Sequence, residues 1–233
     1  MTNTNHMKNI VIVGASRGIG KELVNQLSVN HNVLAFSRNE EKLATLSTKT
    51  GAKVHSIDLT AESFKNEFSE TITNHFKTVD ILINNAGYLV NKPFLETTLE
   101  DIKTTFETNV FGLIQSCQAI IPFMEKNGGH IVNIGSIGGI QGSVKFPGIG
   151  VYSASKAAVT GYTECLAEEL KETNIQVNSL ALGAVQTEML AEAFPGYEAP
   201  TSPSEMAEFI ADFALKSNKW MHGKIIPVSK STP

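Results

Sequence analysis

Ile10-Val11-Ile12-Val13-Gly14-Ala15-Ser16-Arg17-Gly18-Ile19-Gly20, followed by Leu23, Val24 and Leu27, is the stretch on which the fold turns. The β-branched residues at its start read as a short buried strand. The apolar residues that follow recur at the three- and four-residue intervals of a helix. Between them the glycines permit a tight turn and close backbone approach, and the helix that follows would offer unpaired N–H groups and a positive dipole end to a pyrophosphate. The spacing is GxxxGxG and not the GxGxxG of the dinucleotide fingerprint. Taken alone, a glycine-rich turn between strand and helix also serves purely structural ends.

Working outward, the alternation of strand and helix continues. Strand candidates run over Val33–Phe36, Val54–Ile57, Val79–Ile83, His130–Ile134, Ile175–Leu180 and Lys224–Val228, each too continuously apolar to leave a face in water. Between them Phe64, Phe68, Ile72 and Phe76 recur every four residues, and Met206, Ile210 and Ala214 repeat the pattern, giving one apolar stripe per helix. The class expected is α/β: a single doubly wound Rossmann-type domain over residues 1–233, with a seven-stranded parallel sheet and helices on both faces. A longer helical pattern from about Leu99 to Met124 carries a stripe long enough to face both the sheet and a partner subunit. A homodimer or homotetramer is therefore expected.

Composition narrows the partners. The formal net charge is −4 and lysines and glutamates alternate, so there is no basic footprint for nucleic acid and a small molecule is the default partner. The segment Met1 to Asn9 is polar, and no later apolar run is long enough to cross a bilayer, which points to a cytoplasmic protein with no membrane partner. Cys117 and Cys165 fall in helical patterns without CxxC spacing and read as small buried side chains. The 6 histidines have neither HxxxH nor HExxH spacing, so no metal site is expected.

The choice of cofactor rests on charge after the second strand. An acidic residue there would hold the ribose 2′-hydroxyl of NAD, but the sequence reads Phe36-Ser37-Arg38, and Arg38 offers a planar fork that matches the 2′-phosphate of NADP. The chain has arginine only at Arg17 and Arg38, among 19 lysines and arginines. Both positions fall where a phosphate would be met, although two solvated cations there would need no explanation.

Tyr152 and Lys156 stand four apart in Tyr-Ser-Ala-Ser-Lys at the start of a helical pattern and so share a face. An ammonium beside a phenol favours the phenolate, so the Tyr152 pKa is expected to fall from about 10 and make it a usable general acid. Alone, such a pair is more often a surface pair. Ser136 follows a strand candidate at its carboxyl end, where open α/β sheets place ligands and where a hydroxyl can donate to a substrate oxygen. Asn109 sits within the long helical pattern, where an amide slightly disfavours the helix.

At this point the chain resembles the short-chain dehydrogenase/reductase family along nearly its whole length. The shared marks are Gly14-x-x-x-Gly18-x-Gly20, Asp58, Asn84-Asn85-Ala86-Gly87, Asn109, Ser136, Tyr152-x-x-x-Lys156, and Asn178, Gly183 and Thr187 after the sixth strand. The resemblance implies that Tyr152 protonates a carbonyl oxygen while NADPH delivers hydride to its carbon, that Ser136 hydrogen-bonds that oxygen, and that Lys156 lowers the Tyr152 pKa and holds the nicotinamide ribose. It implies that Asn109 anchors a water that resupplies protons. It also implies a cofactor seat built from Gly14, Ser16, Arg17, Gly18, Ile19, Gly20, Ser37, Arg38, Asp58, Leu59, Asn85, Ala86, Gly87, Tyr152, Lys156, Gly183, Val185 and Thr187. In the bland reading Asn84 to Gly87 is merely a turn after a buried strand.

The sequence departs from the family pattern at Val13, where threonine is usual, and at Leu182, where proline commonly precedes the glycine. It departs again in a longer loop between Ser136 and Tyr152 that contains Lys145 and Phe146, and in an ending, Pro227-Val228-Ser229-Lys230, that lacks the frequent acidic-Gly-Gly. The activity expected is NADPH-dependent interconversion of a carbonyl and a secondary alcohol, NADH being the lesser candidate. The alternatives are a catalytically silent NADP-binding sensor or scaffold, and an NAD-retaining epimerase or dehydratase. Residues 188–203, with Phe194, Pro195, Gly196, Tyr197 and Pro200, read as a mobile substrate lid over a small or slender carbonyl compound, 3-oxoacyl thioesters included.

Overall fold

A computed structural model of the chain describes residues 7–230; the first six residues of the polar N-terminal segment and residues 231–233 lie outside it. The chain runs β1 (Asn9–Val13), α1 (Gly18–Leu27), β2 (Asn32–Ser37), α2 (Glu40–Thr50), β3 (Lys53–Ser56), α3 (Phe64–His75), β4 (Ile81–Asn84), α4 (Leu99–Phe106), α5 (Gly112–Met124), β5 (Gly129–Ser136), α6 (Gly150–Glu169), β6 (Ile175–Leu182), α7 (Glu188–Ala193), α8 (Pro203–Lys216) and β7 (Lys224–Val228). The strands form one seven-stranded sheet in the order β3-β2-β1-β4-β5-β6-β7. Every neighbouring pair is parallel.

The continuous apolar strands are explained by where successive side chains go. In β1, Ile10 and Ile12 enter one core with Leu23, Val24, Leu43, Ile210 and Phe213 from α1, α2 and α8. Val11 and Val13 enter the opposite core with Phe64, Phe68, Leu113, Ile120 and Val159 from α3, α5 and α6. A period-two alternation thus persists, but both faces are covered and neither shows it as polarity. The outer strands are the exception, because β3 and β7 have a neighbour on one side only and are only partly buried, contrary to the expectation that every strand is covered on both faces.

Local chemistry sets the helix ends. Asn39 caps α2 by accepting from the Lys42 N–H at 2.8 Å and Gly51, at φ +74°, closes it. Thr98 with Asp101, and Ser202 with Glu205, form capping boxes on α4 and α8.

Three expectations need correction. The helical pattern from Leu99 to Met124 is two helices joined by a π-turn over Glu107–Phe111. The apolar spacing survives the single wide turn, so periodicity alone could not reveal the break. Asn178 lies within β6 and not after it. Cys117 is buried as expected, but Cys165 is exposed, because it lies on the face of α6 turned away from the core that takes Val159 and Leu166.

The strand order reverses between β1 and β4, and there the connections leave the carboxyl edge toward opposite faces. A crevice results at that edge.

Candidate active site

The turn after β1 is built from backbone, which is why it needs glycine. Gly14 has φ +88°, and a Cβ there would stand 2.5 Å from the Cα of Ala86. A Cβ on Gly20 would collide with the Gly14 carbonyl oxygen. The Gly14 and Ala15 N–H groups donate to the Phe36 carbonyl at 2.8 and 3.1 Å. The Asn85 amide donates to the Gly14 carbonyl at 2.7 Å, and Ser37 donates to Ser16 at 2.7 Å. α1 then starts with no side-chain cap, so its first N–H groups face the crevice unserved by the protein. A glycine-lined cradle ending on an uncapped helix suits an anionic diphosphate.

Around this cradle the crevice has a volume of about 590 Å³. Ser37 and Arg38 from the end of β2, Asp58 and Leu59 from beyond β3, Asn85 to Gly87 after β4, and Gly183, Val185 and Thr187 after β6 all line it. Asp58 is held by its own turn, accepting from the Thr60 N–H and hydroxyl, both at 2.9 Å. Gly183 donates its N–H to the Val228 carbonyl at 2.9 Å. Thr187 caps α7 by accepting from the Leu190 N–H at 3.2 Å. Arg17 lines the crevice too, but its guanidinium is paired with Glu192 of α7 at 2.5 Å, so a carboxylate meets the cation that the sequence offered to a phosphate.

The catalytic candidates meet where β5 ends. Ser136, its last residue, accepts from the Gly138 N–H at 3.2 Å and lines the crevice together with Tyr152. Lys156 is 3% exposed and donates to the Ile134 carbonyl at 2.8 Å. Its Nζ lies 5.8 Å from the centroid of the Tyr152 ring. Burial pushes the Lys156 ammonium down to about 8. Burial also raises the Tyr152 pKa above the ordinary phenol value, with the Ser136 side chain opposing it. The expected fall of the Tyr152 pKa is therefore reversed: desolvation penalises the phenolate, and the ammonium is tied to a carbonyl beneath the ring instead of facing the hydroxyl.

Asn109 occupies the π-turn, one layer behind the crevice. Its amide donates to the Tyr88 carbonyl and to Ser155 Oγ, each at 2.9 Å, and accepts from the Tyr88 N–H at 2.6 Å. Ser155 in turn donates to the Tyr152 carbonyl at 2.7 Å. Both amide hydrogens are spent, which leaves a water only the second lone pair of Oδ1. Asn109 thus fastens the loop following β4, at Tyr88, to the helix that carries Tyr152.

The chain matches the family model described as short chain dehydrogenase over residues 8–198. A relative from Danio rerio, carbonyl reductase family member 4, is 36% identical over 185 residues, covering 78% of this chain and 77% of that one. The chain belongs to the short-chain dehydrogenase family. Among solved structures, ElxO with NADP bound superposes with a TM-score of 0.84 at 27% identity, covering 95% of this chain and 97% of that one. A 3-ketoacyl-(acyl-carrier-protein) reductase from Brucella melitensis, complexed with NADH, superposes with a TM-score of 0.87 at 22% identity over 97% and 98% of the two chains, a likeness of fold. The family membership makes this chain an oxidoreductase by kind.

Within this short-chain dehydrogenase, every residue proposed from the sequence lines the crevice except Gly20 and Asn109. Gly20 is packed under the turn and Asn109 behind the wall. Two family marks lie elsewhere. Asn84 is buried and joins Ser116 and Asn133 in a chain of hydrogen bonds at 2.7 and 3.0 Å that binds β4, β5 and α5 together. Asn178 donates to the Met221 carbonyl and to His130, each at 3.0 Å, far down the sheet. Sequence reasoning did not name Leu89, Ile137, Val144 and Ile149 as lining residues, and reached Met189 and Leu190 only as part of the 188–203 segment. They are apolar, and nothing in their spacing separates a crevice wall from a core face.

Proposed function

We propose that this protein is an NADPH-dependent reductase that converts a carbonyl to a secondary alcohol. The observation that carries the reading is the pairing of the Ser136 and Tyr152 hydroxyls on the crevice wall, with Lys156 buried beneath them, beside a glycine cradle shaped for a dinucleotide. When bound, the reduced nicotinamide supplies the hydride that the carbonyl carbon accepts. Ser136 orients the carbonyl oxygen and Tyr152 gives it a proton. Tyr152 carries its proton at neutral pH, as the acid in reduction must, and contact with Ser136 opposes the rise that burial imposes on the phenol. Lys156 supplies a desolvated cation under the ring, placed to hold ribose hydroxyls, and Asn109 positions the helix. Gly14, Gly18 to Gly20 and Ser16 would seat the diphosphate. Asp58 and Leu59 would meet the adenine, and Val185 and Thr187 the carboxamide.

The preference for NADPH rests on Arg38, which is exposed at the end of β2 and lines the crevice where no carboxylate stands to hold a free ribose. We read the chain as one domain acting in the cytoplasm; among the described residues no helix is long and apolar enough to cross a membrane. Leu99 and Phe111, 66% and 52% exposed on the α4–α5 face, support assembly as a homodimer or homotetramer.

Mixing the purified protein with NADPH and a panel of ketones and aldehydes tests the activity. Tyr152→Phe should cut kcat by about 10²–10⁴-fold while NADPH binding, followed by nucleotide fluorescence, stays within about twofold; full turnover by that variant refutes the assignment. Arg38→Asp should shift kcat/KM toward NADH. An unchanged ratio would remove the argument for the 2′-phosphate.

A further inference from the structure

The crevice has two ends of different chemistry. Its charged lining residues are Arg17, Arg38, Asp58 and Glu188 around the dinucleotide cradle, and Lys156 beneath Tyr152. Beyond the Ser136 and Tyr152 hydroxyls the walls are Leu89, Val144, Phe146, Met189, Phe194 and Tyr197, none of them charged. Phe146 comes from the loop between β5 and α6 and Tyr197 from the turn after α7, and each is 50% exposed although it borders the crevice.

The cations nearest this end are already engaged. Lys145 lies between Val144 and Phe146, yet its ammonium is bound by the Gly138 carbonyl, the Ile140 carbonyl and Ser143 Oγ at 2.8, 2.6 and 2.8 Å, and it does not line the crevice. Lys92 sits on both oxygens of Asp101 at 2.8 Å. A carboxylate or phosphate carried next to the reacting carbonyl would lose its water against apolar walls and find no counter-ion. An unpaired charge so placed is heavily penalised, whereas apolar surface covered there is gained.

We infer that the substrate carries an uncharged apolar group beside its carbonyl, and that Phe146 and Tyr197 select it by closing over that group. This rests on the reductase reading and narrows it to a substrate class. The apolar group seats itself between the two loops, Ser136 and Tyr152 take the carbonyl oxygen, and Lys145 acts as a strut that keeps the loop of Phe146 in shape.

The test compares methyl 3-(4-acetylphenyl)propanoate with 3-(4-acetylphenyl)propanoate, ketones of nearly equal reactivity because two methylenes insulate the ring from the one remote charge in which they differ, with 2,3-butanedione as a small reference. The ester should be reduced with kcat/KM at least about tenfold above the acid. Phe146→Ala and Tyr197→Ala should each raise KM for the ester about tenfold while kcat stays within about twofold, with a rise in KM for butanedione of less than about threefold and NADPH binding, followed by nucleotide fluorescence, within about twofold. Phe146→Leu should restore most of the affinity, and Phe146→Lys should move the preference toward the acid. Equal handling of acid and ester, or a KM indifferent to both alanine variants, overturns the inference while butanedione turnover leaves the reductase reading standing. No turnover of any of the three removes both.

Discussion

Adjacent strands β5 and β6 carry a buried polar cluster at each end, and the two clusters do opposite things. At the amino-terminal end His130 Nδ1 meets the Ala214 carbonyl at 2.9 Å. Its Nε2 accepts from Asn178, which also donates to Met221 and accepts from the Lys224 N–H at 3.0 Å. Every group there is answered by the protein. At the carboxyl end Lys156 is as deeply buried, but Ser136 and Tyr152 are only partly buried and line a crevice. Closed networks hold a fold together; polar groups left open on a crevice wall are available for chemistry.

Exchanging the damage between the two ends sharpens this contrast. Ser136→Ala should lower kcat by about 10²–10³-fold, as loss of a donor to a developing oxyanion does, while stability in urea changes by no more than about 1 kcal/mol. Asn178→Ala should do the reverse. It strands the Lys224 N–H and His130 Nε2 and should lower unfolding free energy by about 3 kcal/mol, with kcat per folded molecule unchanged. Loss of activity without loss of stability in the Asn178 variant would break the comparison.

The same end has a pH signature. Burial lowers His130 from 6.5 to about 4, so the folded protein holds it neutral while the unfolded chain takes up a proton below 6.5. Its stabilising share is complete above pH 6.5 and disappears as pH falls toward 4, a loss of about 3 kcal/mol from this residue. Thermal melts at stepped pH should show the decline, and His130→Gln should flatten it.

The smallest effect is expected where α7 meets the glycine turn. Glu192→Gln frees Arg17 from its exposed ion pair and should tighten NADPH binding a few-fold, within the roughly 1 kcal/mol that such pairs command. Titration of the two proteins with NADPH at low salt measures the difference, and weaker binding by the variant would show that Glu192 does not compete for that cation.

Much of the glycine-lined end of the crevice was legible because backbone geometry writes itself into residue choice. Gly14 and Gly20 admit no Cβ, and the stretch Asn85-Ala86-Gly87 must pass against them. The Tyr152 and Lys156 pairing was legible from helical spacing, but not its electrostatics. Whether an ammonium or desolvation rules a phenol depends on where the ammonium points, and Lys156 points to the Ile134 carbonyl. The two-sided core explains why strand order could be anticipated only as a class, since Ile12 and Val13 look alike in sequence yet belong to opposite cores.

From the amino-acid order alone came the alternation of parallel strands and helices, the glycine cradle, the absence of an acid after β2, and the identity of the hydroxyls and amine that gather at one edge. Those follow from local rules: backbone permissiveness, apolar period and charge type. Only the tertiary structure decided that Asn109 sits in a π-turn, that Asn178 serves the far end of the sheet, that Arg17 is paired with Glu192, and which apolar side chains line the crevice. Each of these depends on what lies opposite a residue across the fold, and no neighbour along the chain records that.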